Sequence, residues 1–179
     1  MSEKKDLKIH TFITPIGMMA IFFDPYSGLV KRILLPQNKG LDLERAVIKE
    51  SSDRPIFVSQ LIQQIEEYFQ GSAIRFYEEM FDLNGVTSLE KNAFLATTEI
   101  PFGSVSSYKK IAEIIGCPNG ARFVGSVMAK NPFPIIIPCH RVIRSDGNLG
   151  GYGGGLGLKK RLLEWEASEL GRRLLRRNG

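Results

Sequence analysis

The feature that most limits how this chain can fold is a change of pattern at Asn84-Gly85-Val86-Thr87-Ser88. Before it, apolar residues come in short β-rich runs between turn residues. After it, they recur at helical spacing in short segments closed by Gly and Pro. Residues 9–13 read as a strand, broken by Thr14-Pro15-Ile16-Gly17. Residues 18–23 and 29–35 are two more β-rich runs, and Asp24-Pro25-Tyr26-Ser27-Gly28 between them supplies hairpin chemistry. Residues 41–50 suit a short amphipathic helix, with Leu43, Val47 and Ile48 on one side. Val58, Leu61, Ile62, Ile65 and Phe69 predict a stronger helix over 56–69, stopped by Gly71. Residues 74–83 are expected to rejoin the sheet as an edge strand. His10 reads as structural, so the half is a scaffold without visible chemistry.

Past the linker, Thr87 or Ser88 can cap a helix over 89–98, which Ile100-Pro101-Phe102-Gly103 breaks. Ser106 or Ser107 then caps a helix through Ile115, with Ile111, Ala112, Ile114 and Ile115 as its buried stripe. Gly116-Cys117-Pro118-Asn119-Gly120 is a tight turn, and 121–130 forms the next helix, ended by Asn131-Pro132. Two short helices joined in this way predict a helix-turn-helix. The second carries small residues at Ala121, Gly125, Ser126 and Ala129, and a mid-helix Gly125 calls for a close-approach reason. A DNA groove is one surface that would supply it. Residues 159–170 read as a last helix, and Arg172, Arg173, Arg176 and Arg177 make a basic end that either continues it or frays.

The expected fold is therefore an α/β N-terminal domain, 1–86, with a small mostly antiparallel sheet and helices. A mainly α C-terminal domain, 87–179, carries the helix-turn-helix. A chain of 179 residues has room for two such cores. No run approaches the ~20 apolar residues that cross a bilayer, and Met1-Ser2-Glu3-Lys4-Lys5 lacks the apolar core of a secretory signal. Two cysteines and two histidines argue against a disulfide framework and against a metal site. A cytoplasmic location is expected, where a thiol stays free. Residues 1–88 hold 10 Lys/Arg against 12 Asp/Glu, whereas 89–179 hold 14 against 7. A polyanion partner on the basic half explains that imbalance, and so does a solvated basic surface.

The chemistry concentrates at Pro138-Cys139-His140-Arg141-Val142, which follows the apolar run Ile135-Ile136-Ile137. Three β-branched residues in a row suggest a buried segment stopped by the proline. A thiol works as a nucleophile only when deprotonated, and a neighbouring base can bring that about. Adjacent residues rarely point at each other, so coupling of Cys139 to His140 calls for a bridging water or a bend. A buried structural Cys beside a surface His is the bland alternative. Cys117, next to Pro118 and without a basic neighbour, reads as structural. The loop Gly150-Gly151-Tyr152-Gly153-Gly154-Gly155-Leu156-Gly157 follows no strand of a βαβ unit, so it is no dinucleotide fingerprint and no nucleotide cofactor is expected.

Taken in order, these pieces resemble the O6-alkylguanine-DNA alkyltransferase family, the methylated-DNA–protein-cysteine methyltransferases. Pro-Cys-His-Arg-Val stands intact at 138–142, Gly-x-Val-x-x-Tyr-x-x-Ile-Ala at 103–112, and Arg-x-Val-Gly-x-x-Met-x-x-Asn-Pro at 122–132. Gly-Gly-Tyr-x-Gly-Gly-Leu follows at 150–156, with the trailing Lys159 and Glu166 in place. The first half is similar in outline only, through Thr-Pro-Ile-Gly at 14–17 and Tyr-Phe-x-Gly at 68–71.

The resemblance implies a single irreversible transfer of an alkyl group from guanine O6 to the sulfur of Cys139, without cofactor or metal, on double-stranded DNA. It implies a Cys139–water–His140–Glu166 relay, with Tyr108 supporting the departing base and Asn131 bracing the turn. It also implies Arg122 as the side chain that fills the space of an extruded base, with Ser107, Ala121, Gly125 and Ala129 against the DNA. Val142, Tyr152, Gly153, Gly154, Pro134 and Met128 would form the alkylguanine pocket, and the protein would act as a monomer. Gly153 departs from the family, standing where many members carry a small hydroxyl residue. Phe123, Val127, Leu89 and Phe94 are packing variations. Two other readings stay open: a non-catalytic module that binds alkylated bases, and a Cys-His hydrolase.

Overall fold

The computed structural model describes residues 7–36 and 54–177, with the backbone alone from residue 170 onward. The helix expected over 41–50 lies outside the described residues. Strands β1 (Lys8–Thr14), β2 (Gly17–Asp24) and β3 (Leu29–Leu34) form an antiparallel sheet in that order. The hairpin between β2 and β3 follows from Asp24, whose carboxylate accepts from the backbone N–H of Tyr26 at 2.9 Å and Ser27 at 3.3 Å. Gly28 supplies the left-handed residue that closes it, at φ +68°. Along β2 the two-residue period sends Met19, Ile21 and Phe23 to the main core and Ala20 to a smaller cluster with Ile9 and Leu34.

Helix α1 (Ile56–Tyr68) adds Val58, Leu61, Ile62 and Ile65 to the main core as its spacing predicts, but Tyr68 is the fifth buried residue in place of Phe69, which caps the helix half-buried. The edge strand expected over 74–83 does not form. The segment holds a 3-10 turn, Glu78–Met80, and a single parallel bridge from Phe81 to Val30. The outer edge of β3 is shared, because Val30 O accepts from Asp82 N at 2.8 Å while Ile33 N donates to Pro132 O at 2.8 Å. No length of edge is left for a full ladder.

The second half is helical. Helix α2 (Ser88–Thr98) starts in a capping box between Thr87 and Glu90. The two-residue β4 (Ser106–Ser107) pairs in parallel with β5 (Val142–Ile143) and leads straight into α3 (Tyr108–Ile114). Ser107 caps α3 by accepting from Lys110 N at 3.0 Å. Its buried stripe is narrower than expected: Ile111 and Ala112 are buried, whereas Ile114 is 58% exposed. A turn then leads into α4 (Ala121–Ala129). Cys117 belongs to that turn, because a side chain at Gly120 would meet its sulfur at 2.6 Å. The last helix, α5 (Leu156–Arg177), is longer than the 159–170 expected, so the basic end continues it.

The run at 135–137 is buried but is not a strand. Pro134 and Ile137 bridge across a tight turn in which Ile135 takes φ +76°. One apolar cluster spans the whole, from Met19 and Ile65 through Phe94 and Val124 to Val142 and Leu162. Among the described residues no helix is long and apolar enough to cross a membrane. Leu61→Ala should therefore cost about 2–5 kcal/mol of stability in urea unfolding. Ile114→Ala should stay within about 0.5 kcal/mol.

Candidate active site

Three structural devices fix Cys139. Asn131, just past the end of α4, accepts from Phe133 N at 2.9 Å and donates from Nδ2 to Ile137 O at 2.8 Å and to Cys139 Sγ at 3.0 Å. The left-handed Ile135 reverses the chain, a conformation that costs a β-branched residue energy and is held by the burial around it. At Pro138 the chain bends again, with Cys139 N donating to Ile137 O at 2.7 Å across the proline. Cys139 then opens a 3-10 turn, Cys139–Arg141, and is 4% exposed.

That turn answers the question of neighbouring side chains. His140 does not reach back to the sulfur; it points into the protein, where Nε2 lies 2.7 Å from Glu166 Oε1 on α5. The Glu166 carboxylate is fully buried and is met on every side by donors. Tyr68 Oη donates to Oε1 at 2.8 Å and Gly103 N donates to Oε2 at 2.9 Å. Arg141 donates from Nε to both oxygens and from Nη2 to Oε1, and its Nη1 holds Ile100 O at 2.8 Å. Burial alone would raise the carboxyl pKa, but His140 and Arg141 overcome it and bring it down to about 2. Glu166 is thus an anion, Nε2 of His140 carries the proton shared with it, and the buried Nδ1 is left as an acceptor with no hydrogen-bond partner among the described residues.

Burial pushes the Cys139 thiol up to about 11, against the opposing pull of Asn131 and Lys159. Burial likewise lowers His140 below its ordinary value, and the charges of Arg141 and Lys159 add to that despite Glu166. The resting pair is a thiol beside a neutral imidazole. Lys159 is itself buried, donating to Val142 O at 2.6 Å and Gly151 O at 3.3 Å, and burial lowers its ammonium to about 8.

Beside this cluster lies an open groove of about 980 Å³. Tyr108, Lys109 and the small face of α4 (Ala121, Gly125, Ala129) form one wall, with Arg122 exposed among them. Residues 144–146 and 150–153 form the other. Tyr108 spans the two, its hydroxyl donating to Gly151 O over 3.4 Å, and its ring leaves a side chain at Gly150 no room. The close approach expected of Gly125 is not found among the described residues, because a Cβ there would meet the Tyr108 ring at 3.9 Å, an ordinary contact. Of the predicted pocket residues, Tyr152 and Gly153 line the groove, and nothing lies within 4 Å of a Cβ placed on Gly153. Gly154 is packed inward, where a Cβ would meet Leu158 and Leu35 at under 3 Å. Val142, Pro134 and Met128 are buried and are not on its wall, and Ser107 spends its hydroxyl on the α3 cap. Sequence reasoning passed over Tyr68 and Arg141 as site residues. An arginine inside an otherwise apolar stretch was the available signal for the second.

The sequence model of the family described as "6-O-methylguanine DNA methyltransferase, DNA binding domain" matches residues 88–168. A methylated-DNA–protein-cysteine methyltransferase of Methanothermobacter thermautotrophicus is 39% identical over 130 residues, 72% of this chain and 73% of that one. Its counterpart in Methanosarcina acetivorans is 39% identical over 157 residues, covering 88% and 96%. The crystal structure of Mycobacterium tuberculosis OGT in complex with DNA superposes with a TM-score of 0.71 at 30% identity, covering 90% of this chain and 94% of that one.

The buried anion makes stability depend on pH in a defined sense. A carboxyl held at about 2 against an ordinary 4.5 stabilises the fold above pH 4.5 and loses that effect as the pH falls towards 2. Glu166→Gln should therefore be less stable than wild type at pH 7, with a gap that closes on acidification through this window. Urea unfolding at stepped pH measures it, and a gap independent of pH would rule out the charge as its source.

Proposed function

This chain belongs to the methylated-DNA–protein-cysteine methyltransferase family, and from that premise we propose the following reading of its site. The protein repairs duplex DNA by taking the alkyl group from O6 of guanine onto Cys139, once per molecule. The observation that carries this is the placement of one buried thiol, donated to by Asn131 and followed by a His140–Glu166 pair, behind a groove with a basic residue at its lip. The DNA partner of the M. tuberculosis protein supports the assignment of the groove.

In this reading α3 and α4 are the helix-turn-helix, and the small face of α4 lets the backbone approach DNA closely. Ser107, Ala121, Gly125 and Ala129 meet the strand, and Arg122 enters the stack as the base leaves it. Extrusion costs a few kcal/mol, which phosphate contacts from Lys109, Lys130 and Arg144 help to offset. The swung-out guanine sits between Tyr108 and the 150–154 loop, with Pro134, Met128 and Val142 shaping the floor behind them. Gly153 offers only its backbone N–H at a position where many relatives place a hydroxyl.

Sulfur attacks the alkyl carbon as the bond to O6 breaks. With the thiol held near 11, its proton has to leave as attack proceeds. The acceptor is Nδ1 of His140, through a water molecule, with Glu166 orienting the ring. Tyr108 turns its hydroxyl from Gly151 O to the departing base. No group beside the resulting thioether can hydrolyse it, so the protein is consumed. We place the boundary between the scaffold, 1–86, and the reacting part, 87–179, at the Thr87 capping box. The protein works as a monomer, in the cytoplasm or on the nucleoid, where its substrate is.

Incubation with O6-methylguanine duplex should add one methyl mass per chain to the peptide holding Cys139 and none to that holding Cys117. Continued release of product would instead mark a hydrolase, and binding without label a non-catalytic reader. Arg122→Ala should weaken binding and slow transfer together. Tyr108→Phe should slow transfer by about 10²-fold with little change in binding, measured by single-turnover kinetics.

A further inference from the structure

We propose that Tyr68, on the scaffold helix α1, is a positioning residue of the reaction, acting through Glu166 to set the basicity of His140; this rests on the transfer reading above. Tyr68 is fully buried, lies 72 residues from His140 in sequence, and reaches the relay from α1. A phenol has a single proton to give. It goes to Glu166 Oε1 at 2.8 Å, the oxygen that also faces His140 Nε2 at 2.7 Å. The phenol oxygen itself stands 3.4 Å from Nε2. The ring cannot swing away, because Phe69, Phe102 and Trp165 pack around it with centroids 5.0–5.8 Å distant.

The consequence is electrostatic. Each donor on Glu166 Oε1 takes up part of its negative charge, and what remains decides how strongly the carboxylate favours a protonated imidazole. The groups facing the pair are Tyr68 from α1, Gly103 N–H from the loop after α2, Arg141 from the same turn, Lys159 from α5 and Tyr152 from the glycine loop. Arg141 must stay, since it neutralises the buried anion. Tyr68 is the adjustable donor: it weakens the carboxylate as a partner and so keeps His140 neutral, ready to accept a proton from Cys139. The scaffold half thereby takes part in the chemistry.

The test compares the pH dependence of single-turnover methyl transfer in wild type, Tyr68→Phe and a variant with 3-fluorotyrosine at position 68, from pH 5 to 9. Removing the donor leaves more charge on Glu166, so the acid-side midpoint of the rate should rise by about one pH unit in Tyr68→Phe. The fluorinated phenol donates more strongly and should move the midpoint the other way. A rate reduced equally at every pH, with the midpoint unmoved in either variant, would make Tyr68 a packing residue and overturn the proposal. Should Tyr68→Phe fail to fold, the fluorotyrosine shift decides alone, since that side chain keeps both ring and hydroxyl. Failure of wild type to methylate Cys139 in the same assay would instead overturn the reading beneath.

Discussion

The structure depends on a carboxylate that water cannot reach. Burying the charge of Glu166 without partners would cost several kcal/mol, and the fold answers by aiming donors at it from distant stretches of chain. Tyr68 comes from the end of α1, Gly103 from the loop after α2, and His140 and Arg141 from the reactive turn. Satisfying one anion therefore fixes the relative position of scaffold, loop, turn and last helix. The aromatic packing of Tyr68, Phe69, Phe102 and Trp165 keeps that junction dry.

A second constraint acts on the backbone. A β-branched residue at φ +76° is unfavourable by itself, yet Ile135 is held there between the Pro134–Ile137 bridge and the Asn131 amide. The amide that braces this turn also donates to the sulfur, so the shape of the loop and the environment of the thiol are one arrangement. Loss of Asn131 would release the loop and leave Ile137 O without that donor, which ties local strain to the placement of the reacting atom.

Much of this was legible in the chain. Asp24 and Gly28 announced the hairpin, Thr87 the start of α2, and the spacing of Val58, Leu61, Ile62 and Ile65 the face of α1. These signals are local, and local chemistry decides them. The edge strand over 74–83 failed because Pro132 takes the Ile33 N–H of its partner edge and leaves the segment only its contact with Val30, a tertiary fact. The Ile135-Ile136-Ile137 run has strand composition, but Asn131 and Pro138 turn it at both ends. Tyr68 was hidden for a related reason: the tyrosine ends a regular apolar stripe, and nothing near it in sequence says that its hydroxyl will meet a carboxylate 98 residues away.

Proton accounting links these features to the chemistry. O6-alkylguanine lacks the ring N–H that guanine carries, so transfer moves an alkyl group to sulfur and a proton from the protein to the base. The thiol is the group that loses its proton for good, and the imidazole ends as it began. A base held permanently protonated could not begin that exchange, and one with no anion behind it could not carry the proton even briefly. In the proposed relay Glu166 meets the second need while Arg141 and Tyr68, by sharing its charge, meet the first. The same burial that raises the thiol pKa and lowers the imidazole pKa keeps the resting sulfur protonated. Crowding a single carboxylate with donors is thus the condition under which a thiol spent once is kept for its substrate.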